Sequence, residues 1–157
     1  MKPSMKNFLN IVIVVAWCIL ILSFSSDNAV KSDIKSTLVV DTVKPAVVSV
    51  TDTIGIRKPT DDELQHFVRK SAHFLCYLIL GVLFFNMYKG FGIKIDKLAL
   101  LSILSCFIFA CFDEFYQTFI PGRAGMFTDS LLDTTGATLG VGLLIVVSKI
   151  RRKNYGT

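Results

Sequence analysis

The chain has 157 residues, of which 52% are hydrophobic and 18% charged, with a net charge of +5 and a mean hydropathy of +0.58. A soluble domain carries about 25% charged residues, and here the apolar residues gather in long runs, at Phe8–Phe24, Phe74–Tyr88, Leu98–Phe112 and Ala137–Ser148. That distribution excludes an ordinary soluble domain. The basic residues cluster at the ends of the runs, so the positive charge does not point to nucleic acid.

Crossing the hydrocarbon core takes roughly 17–25 apolar residues as a helix, and lipid offers no partner to an exposed backbone amide. The expected fold is an all-α integral membrane protein of about four transmembrane helices. Residues 1–25 form an N-terminal anchor, opened by Lys2 and Lys6. Its Ser23-Phe24-Ser25 ending has the small-x-small form of a signal-peptide site, but the run is longer than most signal cores, so a retained helix is expected. Cleavage at Cys18, of the lipoprotein kind, is disfavoured by the bulky Trp17 before it. Residues 26–59 read as a polar extracytoplasmic loop. Within it, the valine-rich stretches of Thr37–Val50 around Pro45 suit a small hairpin or a segment lying on the membrane surface.

A three-helix membrane core follows over 60–150. Thr60 with Glu63 three residues on reads as a capping box, and Asp61 and Asp62 favour the same helix N-terminus. The pattern runs to about Tyr88, with an exposed turn or two before the span. Lys89–Lys97 turns the chain. The next helix covers about Leu98 to Phe119 and is stopped by Pro121-Gly122. Thr128 or Asp129 starts the last one, which ends near Lys149, leaving 151–157 as a basic tail with Arg151, Arg152 and Lys153. The lysines of the 89–97 turn and the tail assign both termini to the cytoplasmic side. Arg57, Lys58, Arg69 and Lys70 oppose that count, but seven acids lie between Asp27 and Glu63, and long loops obey the rule less strictly.

An ionisable residue inside a span costs roughly 2.5–3.5 kcal/mol on insertion scales, so it usually faces protein or water and has a function. Helical spacing groups several here. His66, Lys70, His73 and Tyr77 form one stripe, Asp113 and Gln117 are one turn apart with Glu114 alongside, and Asp129 and Asp133 share a face that continues through Gly136 and Gly140. Arg123 sits on the turn between the last two helices. With both termini inside, all of them lie toward the outer leaflet. His73, Asp113 and Glu114 are the candidate catalytic groups; Lys70, Tyr77, Gln117, Arg123, Asp129 and Asp133 are the candidate ligand-binding groups. Arginine takes phosphate with a planar fork and lysine as a point charge.

Plainer roles compete. Arg69 and Lys70 can snorkel to headgroups, His66 can be a solvated helix residue, and Asp129 can be a helix-terminal acid. Asp113 or Glu114 can pair structurally with Arg123 or Lys70, and Gly136 and Gly140 suit close helix packing. The two histidines are seven apart, with no His-x-x-x-His or Cys-x-x-Cys spacing, so no metal and no cofactor is expected. Cys18, Cys76, Cys106 and Cys111 all fall in apolar runs and suggest packing rather than disulfides. Ser71 or Ser130 could complete a triad on paper, but no nucleophile elbow surrounds either.

The motifs Lys70-x-x-His73-x-x-x-Tyr77, Asp113-Glu114-x-x-Gln117 with Pro121-Gly122-Arg123, and Asp129-x-x-x-Asp133-x-x-Gly136 resemble the VanZ-like family over roughly Val68 to Leu144. The family pattern often has Asn where this chain has Asp133 or Thr134. The resemblance implies a multi-pass protein of the bacterial cytoplasmic membrane. The family's founding member is associated with low-level resistance to teicoplanin, a glycopeptide that binds peptidoglycan precursors, without rebuilt precursor termini. Three readings follow: a module that binds or processes an envelope ligand, with membrane lipid, a lipid-linked wall precursor or a lipoglycopeptide as partner; a membrane hydrolase or transferase; and a small proton- or ion-coupled transporter, which would need an oligomer. The sequence favours the first, because the charges cluster at one depth and no committed nucleophile or inverted repeat accompanies them.

Overall fold

Thr60 opens the helix around which the others pack. Its side chain accepts from the Glu63 amide, and Glu63 reaches back to the Thr60 amide at 2.8 Å, closing the capping box that the sequence predicts. The structure, a computed structural model, describes residues 5–27 and 29–155, and of 29–35, 96 and 152–155 the backbone alone. Five helices make up these residues: α1 (Met5–Ser25), α2 (Ala29–Ile54), α3 (Asp61–Gly90), α4 (Ile95–Gln117) and α5 (Phe127–Tyr155). Four segments are long and apolar enough to cross a membrane: Met5–Ser25, Asp61–Gly90, Lys97–Gln117 and Phe127–Arg151. The architecture is that of an all-α, multi-pass membrane protein.

The centre of the bundle is α3 against α5. A Cβ at Gly81 would fall on the backbone of Ala137, one at Gly136 on the Phe74 carbonyl and one at Gly140 on the Leu78 carbonyl, so these small residues let two backbones touch. Such contact, rather than exclusion of water, is what holds helices together in lipid. Tyr77, Leu80 and Ala137 are fully buried here, Cys106 and Ala110 bring α4 onto the same core, and Val14 and Ile21 bring α1. Outward-facing Phe8, Ile19, Leu100, Ile108 and Leu143 stay exposed, as residues that meet acyl chains do.

Two expectations need correction. Residues 26–59 are not mainly a loop and hold no hairpin: α2 is a 26-residue helix with Pro45 inside it. It runs antiparallel to the start of α3, with the Gln65 amide donating to Thr37 at 3.0 Å and Lys44 paired to Asp61 at 2.6 Å. Its buried stripe, Ser36, Val40 and Thr51, has helical spacing but is two-thirds polar. The last helix also ends later than the expected Lys149, since α5 continues through the start of the basic tail to Tyr155. Lys2 and the side chains of Arg152 and Lys153 lie outside the described residues.

Candidate functional site

The end of α1, the start of α3, the end of α4 and the start of α5 meet at one end of the bundle, and the polar residues of the spans meet there with them. At the other end Asn7 donates to the Gly90 carbonyl at 2.8 Å, which holds the start of α1 to the end of α3.

Three side chains from three helices converge at the deepest level. His73 on α3 places Nδ1 3.8 Å from Asp133 Oδ2 on α5 and 4.0 Å from Asp113 Oδ2 on α4. Asp113 is 0% exposed and Asp133 1%. Tyr77, one turn below His73, donates to Asp113 Oδ2 at 3.4 Å and stacks at a tilt near Phe109. Tyr77 lies wholly within the core, so it positions a carboxylate rather than meeting a ligand. Ser25, buried at the end of α1, stands beside Asp113 and accepts from Gln117 Nε2 at 3.4 Å.

Above this trio the roles divide. Glu114 Oε2 accepts the Met126 amide at 2.8 Å and its Oε1 faces Gln117 Nε2 at 3.4 Å, so this acid clamps the turn that leads into α5. Gly125 lies so close to the Glu114 carbonyl that no Cβ fits there, and Gly122 takes a positive φ of 77° to make the turn after Pro121. Arg123, on that turn, donates through Nε to the Asp27 carbonyl at 2.9 Å, through Nη2 to the Phe24 carbonyl at 3.4 Å and through Nη1 to Gln117 Oε1 at 3.3 Å. A cation on the terminal carbonyls of α1 satisfies groups the helix itself leaves unpaired. Burial, and then Arg69 nearby, pulls its guanidinium below the ordinary value. Lys70 and Asp129 form an ion pair of 2.6 Å, with side chains 32% and 26% exposed. Neither Asp113 nor Glu114 is joined to Arg123 or Lys70 by a hydrogen bond or ion pair among the described residues; the acid that takes Lys70 is Asp129.

These groups surround a polar pocket of about 200 Å³ in which His66, Lys70, His73, Glu114, Arg123 and Asp133 take part. An apolar groove of about 250 Å³ lies next to it between α1, α2 and α3, formed by Ile21, Phe24, Val39, Val68, Ala72 and Cys76. Arg69, His73 and Arg123 border both.

The candidate residues read from the sequence therefore assemble at one place, with Tyr77 behind the pocket and Glu114 and Arg123 largely engaged by backbone. Two contributors escape that reading, Ser25 as part of a cleavage signal and Arg69 as a snorkelling residue; what marks them is proximity across helices, which spacing within one helix cannot carry. His66, on the stripe of Lys70 and His73 but read as solvated, lines the pocket. Ser71 and Ser130 make no hydrogen bond to His73 among the described residues. Ser130 Oγ is buried without a partner.

Fold and site together define a multi-pass helical membrane protein with a buried acid–histidine cluster opening onto a polar pocket of mixed charge. The VanZ/LLP1 family model matches residues 9–148. The chain belongs to that family, and the match takes in α1 and α2, which the motifs did not reach. No curated protein and no solved structure matches the chain.

Proposed function

We propose that the protein binds, and presents for processing, an amphiphilic anionic ligand at the outer face of the bacterial cytoplasmic membrane. The observation that carries the proposal is the shared border: a polar pocket of mixed charge, with Arg69, Lys70 and Arg123 beside Glu114, Asp129 and Asp133, meets an apolar groove at Arg69, His73 and Arg123. A phosphate or carboxylate headgroup suits the first and an acyl or prenyl chain the second. Pockets for small ligands combine apolar walls with a few fixed polar groups in this way. Lipid-linked wall precursors and lipoglycopeptides have this chemistry, and resistance to teicoplanin is the phenotype such binding would give. The lysines and arginines at the opposite end, Lys89, Lys94, Lys97, Lys149 and Arg151, support the outer placement under the positive-inside rule.

The test is teicoplanin and vancomycin susceptibility of a sensitive host expressing wild type, His73→Ala or Ala72→Phe at matched membrane levels. Ala72 is an exposed groove residue, so a larger side chain fills the groove without disturbing the core. Wild type should protect against teicoplanin more than vancomycin, and both variants should lose that protection. Equal protection by both variants would sink the site. Failure of wild type against both drugs would sink the drug phenotype, and binding of a radiolabelled polyprenyl diphosphate to the purified protein then decides the ligand class.

A second reading, a membrane-embedded hydrolase or transferase on a phosphorylated or lipid-linked substrate, draws on His73 between two buried carboxylates. Turnover of that labelled lipid separates it from binding alone. A proton- or ion-coupled transporter is disfavoured, because the buried acids stay at one end of the bundle.

A further inference from the structure

Two carboxylates stand side by side within the bundle, and nothing described so far neutralises them. Asp113 is 0% exposed and Asp133 1%, and among the described residues Asp113 Oδ1 and Asp133 Oδ2 have no hydrogen-bond partner. The nearby cations are engaged elsewhere: Lys70 is held by Asp129 at 2.6 Å, and Arg123 donates to Asp27, Phe24 and Gln117. His73 Nδ1 approaches both acids, but at 3.8 and 4.0 Å, too far for direct hydrogen bonds.

Those separations lie slightly beyond what a shared small cation sets. Donor atoms that each lie about 2.0–2.2 Å from one ion stand roughly 3–4 Å apart, so small side-chain shifts would close the trio on it. One atom each from His73, Asp113 and Asp133 falls within 4.8 Å of the others. We propose that His73, Asp113 and Asp133 form a binding site for one divalent transition-metal ion of the Zn²⁺ or Mn²⁺ kind. The charge balances, two carboxylates against one dication. Imidazole favours zinc and its neighbours while carboxylates favour manganese, and a mixed set of one and two spans both. Calcium and magnesium prefer all-oxygen sites. Tyr77, donating to Asp113 Oδ2 at 3.4 Å, supplies the outer partner that fixes a ligating carboxylate.

The site has an open side. His73 and Asp133 also border the polar pocket with Lys70 and Arg123. Three protein ligands leave a coordination position free, as catalytic rather than purely structural sites do. An anionic oxygen entering the pocket would reach that position. Sequence spacing could not reveal the trio, because its members are separated by 40 and 20 positions on three helices. The metal site stands or falls apart from the lipid ligand, since its measurement involves no lipid substrate.

Purified tag-free protein in nanodiscs, stripped with chelator, would be titrated with Zn²⁺, Mn²⁺ and Co²⁺. Metal content after desalting gives stoichiometry, and the Co²⁺ visible spectrum reports donor type. Asp133→Ala, His73→Gln and the control Asp52→Asn, at an exposed ion pair with Lys58, would be compared at equal monodispersity. Wild type and Asp52→Asn should bind one ion per chain, with Zn²⁺ displacing Co²⁺. The two ligand variants should lose more than the roughly 10–100-fold in affinity that removal of an outer partner typically costs, and Tyr77→Phe should fall within that range. If wild type retains no stoichiometric metal, or both ligand variants retain it as wild type does, the proposal is overturned. If the ligand variants fail to fold, the wild-type Co²⁺ spectrum decides alone: nitrogen–oxygen coordination displaced by Zn²⁺ supports the site, and the spectrum of the aquo ion refutes it.

Discussion

Asp113 and Glu114 are neighbours in sequence, and residue type gives them equal standing. The bundle separates them. Glu114 accepts the Met126 amide from the far side of a tight turn, while Asp113 turns inward with one oxygen unpartnered. Hydrogen bonds to charged groups contribute about 1.5–3 kcal/mol, and loss of one partner leaves the other's desolvation uncompensated. Glu114→Ala should therefore lower the stability of the purified protein by about 2 kcal/mol, whereas Glu114→Gln, which keeps an acceptor, loses under half of that. Asp113→Asn, measured with chelator present, should change stability by less than about 1 kcal/mol, because it removes a buried charge and keeps an oxygen to accept from Tyr77. Thermal unfolding in nanodiscs checks both, and the reverse order would exchange the roles of the two acids. At this scale the sequence singles out both acids but not how they differ. The deciding partners, Met126 and His73, lie 12 and 40 positions away.

Among the elements, α1, α3, α4 and α5 were legible because each joins a long apolar run to a clear stop, such as the Thr60 cap or Pro121-Gly122. α2 was not. Its buried face alternates Ser36, Val40 and Thr51, and Pro45 interrupts the expected ladder, so no apolar stripe marks it as a helix. The seam of α3 and α5 carries its own control. Gly140 abuts the Leu78 carbonyl, while a Cβ on Gly142 meets nothing within 4 Å. Gly140→Ala should destabilise the bundle by about 1–3 kcal/mol through overpacking, and Gly142→Ala should leave it unchanged or slightly firmer, since alanine is the better helix former. Equal effects of the two substitutions would mean that the helices do not touch at Gly140. The same seam sets Asp133 against His73, so Gly140→Ala should also weaken whatever the acid–histidine cluster binds. For α1, Trp17 donates to the Cys76 carbonyl at 3.0 Å and Ser25 reaches the site. Loss of this helix would uncover Asp113, so the chain isolated from membranes should keep it, which intact-mass measurement reads directly.

For the molecule as a whole, orientation decides which ligands can reach the pocket. Basic residues occur at both ends of the bundle, but those near the site are paired: Arg57 with Glu63 at 2.6 Å, Lys58 with Asp52 at 3.0 Å, Lys44 with Asp61 and Lys70 with Asp129. Acids contribute little to the insertion rule, so this pairing does not cancel the charge. What favours an outer site is position. Lys89, Lys94 and Lys97 flank a short turn, where the rule is strongest, whereas Arg57 and Lys58 follow a helix-bearing segment of more than thirty residues. Single cysteines at Ile56 and Lys94, both exposed, test this in a background with the native cysteines replaced by alanine. A membrane-impermeant thiol reagent added to intact cells should modify Ile56→Cys and spare Lys94→Cys until the membrane is permeabilised. The opposite pattern would put the pocket on the cytoplasmic leaflet. A glycopeptide outside the cell could not then reach it, and the ligand would have to be an inner-leaflet phospholipid or a precursor not yet flipped. The metal trio would survive that reversal, because its geometry depends on three helices meeting and not on which side of the membrane they meet.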